Sequence, residues 1–197
     1  MLHLVGCTVF TDKSATSFSV IYLGFFVDLR LIGGYTWTTV ALTHMYEQLG
    51  DCSSAKTRQL VGYVTLLQGW IYEHFSSICM RRVRSQYYEE EPRCRMYEPG
   101  KVTSVAVVRL QLNTIILPCI QFFPYNEHRK ERPFEWISLF SSYMRFESWR
   151  QLHLPECVIR QHGYVQMIPR HPSVVKDDDL ISNEVDQRWL RLNDYVI

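Results

Sequence analysis

The stretch GGYTWTTVALTHMYEQLGDCSSAKTRQLVGYVTLLQGWIYEHF, residues 33–75, decides the fold class because it reads as two consecutive amphipathic helices. In its second half Leu60, Val64, Leu67, Ile71 and Phe75 recur at helical spacing, and Val61 and Trp70 widen the stripe. In its first half Trp37, Ala41, Met45 and Leu49 form a comparable stripe flanked by Val40, Leu42 and Tyr46. Between them Gly50 predicts a helix stop, and Asp51, Cys52, Ser53 and Ser54 offer small side chains able to cap the second helix. The expectation is a helical hairpin. Burying five or six such side chains, at roughly 1.5–3 kcal/mol each, contributes about 10 kcal/mol, comparable to a domain's net stability. The stripe therefore reads as core before it reads as a site.

Around the hairpin, 197 residues at 47% hydrophobic content suffice for a real core and predict a single domain over 1–197. The 21 basic and 20 acidic residues leave a net charge of +1, which excludes a strong overall field for nucleic acid or membrane. Six cysteines stand singly at 7, 52, 79, 94, 119 and 157, with no Cys-x-x-Cys pair, so a reducing compartment fits better than a disulfide scaffold. The longest apolar run, 20–27, is far short of the roughly 20 residues that cross a bilayer, and no membrane partner is expected.

Residues 17–29 mix β-branched and aromatic types and fit either a strand or a short buried helix; the apolar run 102–117 leaves the same two alternatives open. Between them 81–101 reads as a variable surface loop, in which Arg81, Arg82, Arg84, Arg93 and Arg95 stand beside Glu89, Glu90 and Glu91. These arginines are the candidate nucleic-acid contacts, against the blander reading of a solvated connector whose charges cancel. Beyond Pro133, the block PFEWISLFSSYMRFESWRQLHLPE places Trp136, Phe140, Tyr143 and Trp149 for packing against the hairpin, with Arg145 and Arg150 toward solvent. A short helix is expected from Pro155 to near Gly163, and a last helix with Val185, Trp189, Leu192 and Val196 on one face.

Tests for chemistry return little. Gly33-Gly34 is an isolated pair and no Gly-Lys-Ser/Thr occurs, so no standard phosphate loop is present. His153, Cys157 and His162 carry metal-binding atoms at a spacing that matches no structural zinc pattern, and the same caution covers His74 with Cys79 and the isolated His44. No Gly-x-Ser-x-Gly elbow appears, and the carboxylates 89–91 and 177–179 are charge runs of solvated character. No catalytic residue, cofactor or metal is predicted.

The order of motifs resembles the plant mobile domain, the module of MAIN-like plant proteins also labelled aminotransferase-like. The blocks are LVGCTVFTDKS at 4–14, GGYTWTTVALTHMYEQLGD at 33–51, TRQLVGYVTLLQGWIYEHF at 57–75, PYNEHR at 124–129, RPFEWISLFSSYMRFES at 132–148, HLPECVIRQHGYVQMIPRHP at 153–172, and NEVDQRWLRLNDYVI at 183–197. Gly33, Gly34, Tyr35, Trp37, Gln59, Trp70, Pro124 and Tyr125 are the family-motif residues, read as structural. The family's module extends further on the N-terminal side, so the resemblance implies an N-terminally truncated copy. Phe122 stands at about the position of a family tryptophan.

The resemblance implies a mainly α, irregular helical domain around a central hairpin, with a minor β element. It further implies a non-enzymatic nuclear protein-interaction module linked to transposable-element silencing, genome maintenance and meristem maintenance. Its implied partners are a phosphatase-like protein or another MAIN-like protein, and the alternative is a DNA- or RNA-binding domain derived from a mobile element. Arg145 and Trp149 are the candidate partner surface. The enzyme labels of relatives find no support: Gly50-Asp51-Cys52-Ser53 is no metallophosphatase motif, and Lys13, Lys56, Lys101, Lys130 and Lys176 lack the phosphate cup of a pyridoxal-phosphate scaffold.

Overall fold

The computed structural model describes residues 6, 8–11, 20–54, 59–78, 82–98, 104–146 and 148–197. Among the described residues the chain is mainly helical with two small antiparallel strand pairs. It divides into two compact units, one of Met1–Val64, Phe140–Leu154 and His171–Ile197, the other of Thr65–Leu139 and Pro155–Arg170.

In the first unit, helix α1 (Trp37–Ser53) buries Ala41 and Met45 from the expected stripe, but also Thr43 and His44. Thr43 is accommodated because its hydroxyl donates to the Thr39 carbonyl, and His44 because its Nδ1 meets the Val9 carbonyl at 3.2 Å. The helix runs through Gly50, where a stop was expected, and ends at Ser53 as Ser54 turns extended. A glycine inside a helix costs only about 1 kcal/mol, too little to end one by itself.

The second helix begins later than its pattern predicts. Leu60 and Val61 lie outside it, because Gly62 takes φ 96 and its N–H donates to the Thr11 carbonyl. Helix α2 (Val64–His74) then lies, but for its first residue, in the other unit. The two helices therefore contribute to two different cores.

The partner of α1 is a β-hairpin, β3 (Ser142–Phe146) with β4 (Trp149–His153), in register from Ser142 opposite His153 to Phe146 opposite Trp149. Strands β1 (Arg82–Val83) and β2 (Tyr97–Glu98) form the other pair, in the second unit. β3 is buried on both faces except at Arg145. One face supplies Phe146 to a stack in which the Phe10 ring lies 4.2 Å from Tyr22 and 5.0 Å from Phe146, with Trp37 and Trp149 packed around it. The other supplies Tyr143 to a cluster with Leu180 and Val185, the latter on the terminal helix (Ser182–Leu190). That helix starts where the Glu184 carboxylate reaches back to the Ile181 N–H. Trp189 meets Phe140 edge-on at 4.9 Å, and Val196 pairs with Phe140, so the predicted apolar face is used.

In the second unit, α2 buries Gly69, Tyr72, Glu73 and His74, while Val64 and Trp70 of the predicted stripe are exposed. The helix is turned because Tyr72 packs edge-on against Tyr97 and Gly69 sits against Cys94. Of the two open runs, 20–26 forms a 3-10 helix, and 105–114 forms an α-helix, α3 (Val105–Thr114), capped by the Ser104 hydroxyl. α3 is not buried as expected: Val105, Val107, Leu110 and Leu112 are all exposed. The predicted short helix after Pro155 is two 3-10 turns ending at Gly163, and Trp136, expected to pack, is 60% exposed.

Candidate functional site

The last turn and a half of α2 organises the second unit by sending successive side chains in two directions. Trp70 and His74, four residues apart, share a face with ring centroids 4.5 Å apart and line a cleft of about 530 Å³. Phe75, Ile120, Phe122 and Val158 add apolar wall, and Arg160, Gln161 and Gln166 supply polar groups. Its size and apolar character lie in the range of ligand and peptide sites.

The geometry sets the state of His74. Its Nδ1 stands 2.9 Å from the Gln121 carbonyl, which only accepts, so Nδ1 carries the proton. Burial lowers the ring's pKa against the smaller pull of that carbonyl and of Glu73. The neutral ring then presents a lone pair at Nε2, with the Gln161 amide beside it and no partner in good hydrogen-bonding geometry.

Glu73 and Tyr72 point the other way. The Glu73 carboxylate, 5% exposed, accepts from Arg93 Nε at 2.7 Å, and Arg93 Nη1 also holds Glu89 at 2.7 Å. Glu89 in turn meets His128 Nδ1 at 2.5 Å. Burial opposes the Arg93 charge, yet the two carboxylates outweigh it and hold its pKa above the ordinary guanidinium value. Burial likewise opposes the Glu89 charge, but His128 and Arg93 hold that carboxyl below its usual range. Tyr125 closes the cluster, its phenol pKa pushed up by burial and by Glu73.

Of the arginines considered as nucleic-acid contacts in 81–101, three are engaged by carboxylates. Arg93 is an internal tie, Arg84 pairs with Glu98 at 3.6 Å, and Arg95 with Glu91 at 3.4 Å. Arg82 is exposed, and Arg81 lies outside the described residues. Tyr97, in the same segment, is buried.

The candidate partner surface is also engaged within the fold. Arg145 forms a bidentate pair with Asp186 at 2.8 and 2.7 Å, and Trp149 is half-buried against Phe146 and the His44 ring. Of the possible metal ligands, His153 in the first unit meets the Tyr46 hydroxyl at 3.3 Å, and His162 in the second packs edge-on against Phe134. Among the described residues no group of three His, Cys, Asp or Glu side chains is placed to hold a metal. Cys79, paired with His74 in the sequence reading, lies outside them.

Most of the family-motif residues make contacts within the fold. Gly33 and Gly34 close the 3-10 turn Leu29–Gly34, Tyr35 and Trp37 meet edge-on at 5.7 Å, and the Trp37 indole donates to the Ile32 carbonyl. Gln59 accepts from the Cys52 thiol through its carbonyl. Pro124 and Tyr125 open the turn that leads to His128, and Tyr125 meets His74 edge-on. Trp70 is the exception, since it walls the cleft.

The plant mobile domain family model matches residues 1–195. The chain belongs to the plant mobile domain family. This plant mobile domain is similar over its whole length to two Arabidopsis thaliana proteins, Protein MAINTENANCE OF MERISTEMS at 25% identity and Protein MAIN-LIKE 1 at 26%. It spans 44% and 41% of their lengths. Protein MAIN-LIKE 2 of the same plant is 36% identical over 76 residues, covering 39% of this chain and 11% of that protein. No solved structure matches this plant mobile domain.

Proposed function

We propose that the chain is a non-enzymatic nuclear protein-interaction module, acting with MAIN-like proteins in meristem maintenance, genome maintenance and silencing of transposable elements. The observation that carries this reading is the run of exposed apolar side chains in α3 and the segment after it. Leu110, Ile116, Leu117 and Phe123 are 62%, 61%, 71% and 51% exposed, and Ile120 and Phe122 of the same segment line the Trp70 cleft. Apolar exposure concentrated in this way marks docking surfaces. The name of the relative Protein MAINTENANCE OF MERISTEMS and the shared family support the biological setting.

The partner is another MAIN-like protein or a phosphatase-like protein. Titration calorimetry against each purified partner, with Leu110→Glu and Leu117→Glu combined, tests the surface. A loss of tenfold or more is expected. Unchanged affinity removes this surface, and no binding to either partner by the unaltered chain removes the interaction reading.

A further inference from the structure

Arg129 and Lys130 are adjacent cations of the second unit. Arg129 and Lys130 line a second cleft of about 460 Å³ with Asn126, Pro133, Phe134 and Tyr164. Among the described residues neither has an ion-pair partner, in contrast to Arg84, Arg93, Arg95 and Arg145. Glu127, Glu131 and Glu135 of the same segment are exposed and do not line the cleft.

The Arg129 guanidinium is held in place by stacking. Its centre lies 4.8 Å from the Phe134 ring centroid and 5.6 Å from that of Tyr164. Gly163, at φ 78, leaves room for it, since a Cβ there would collide with Arg129 Nη1. Stacking fixes the plane of the fork while leaving its N–H edge for an oxyanion. The cleft is far larger than a phosphate requires and falls within the roughly 300–1,000 Å³ of ligand sites.

We propose that this cleft takes one nucleotide of a single-stranded nucleic acid, one of its two flanking phosphates on Arg129 and the other on Lys130 and its base against the Phe134 and Tyr164 side, with the Asn126 amide at the base edge. Cations beside aromatic rings are the combination that single-strand binders use. A phosphorylated peptide would satisfy the cations and leave the ring wall idle. The site is separate from the Trp70 cleft, so either reading can fail without the other.

The test is fluorescence anisotropy of the whole chain with a labelled short oligothymidylate. Two neutralised phosphates on a single strand give a salt slope of about 1.4, so affinity falls about 12-fold from about 25 to about 150 mM salt. Lys130→Gln, at an exposed side chain, reduces that fall to about 3.5-fold. Tyr164→Ala weakens binding by about 5- to 100-fold and leaves the salt slope unchanged. Arg129→Lys keeps the slope and weakens binding through loss of the fork. No binding at the lowest salt, unchanged affinity in both Lys130→Gln and Tyr164→Ala, or tighter binding of a phosphoserine peptide than of the oligonucleotide overturns the proposal.

Discussion

Replacing Arg93 by Met removes the tie between α2 and the 82–98 segment. Glu73 is 5% exposed and Arg93 18%, so the change leaves a buried carboxylate without its counter-ion. Breaking a buried pair from one side costs about 3–5 kcal/mol. Glu89, the other carboxylate on Arg93, is 36% exposed and keeps His128 as its partner, which places the cost near the lower end, at about 3 kcal/mol. At about 2–4 °C per kcal/mol for a chain of this size, the melting temperature drops by about 6–12 °C. Pairing the change with Glu73→Leu removes both charges, and the double variant is less destabilised than the sum by about 2 kcal/mol. Urea and thermal unfolding followed by tryptophan fluorescence measure each variant. A loss under about 1 kcal/mol for Arg93→Met, or strict additivity in the double variant, refutes the argument that this pair is a buried structural tie.

Phe10→Ala opens the ring stack between Tyr22 and Phe146, and with Phe10 only 1% exposed the expected loss by urea unfolding is about 3–5 kcal/mol. Gly62→Ala costs about 1–2 kcal/mol from backbone strain alone, since its Cβ would make only an ordinary 3.4 Å contact with His44; a variant as stable as the parent contradicts the left-handed geometry. Burial lowers the pKa of both His44 and His74, so above about pH 6.5 neither contributes to pH dependence, while below it the unfolded chain takes up protons first and stability falls. Thermal melts between about pH 7.5 and 5.5 should show this decline, flattened by His44→Gln or His74→Gln; an unchanged slope in both variants counts against it.

The local pattern of residues 33–75 was enough to announce two helices, because helical periodicity is carried by neighbours three and four residues apart. The motif order was enough to announce the family, since each block is contiguous in the chain. The terminal helix was legible for the same reason, with Val185 buried and Trp189 against Phe140.

What the helices pack against was not legible. Glu73 and Arg93 are 20 residues apart, and Arg145 and Asp186 are 41 apart, so nothing local marks them as pairs. The exposed α3 has the composition of a buried element, and only the three-dimensional placement shows that no part of the described fold covers Leu110. Arg129 and Lys130 read as two charges in a mixed run with Glu127 and Glu131. Only the folded structure shows that the cations line a cleft which those carboxylates do not, with the guanidinium over two rings. Periodicity records which face of an element is apolar, whereas charge compensation and exposure depend on segments far apart in the chain, and those meet only once the chain has folded.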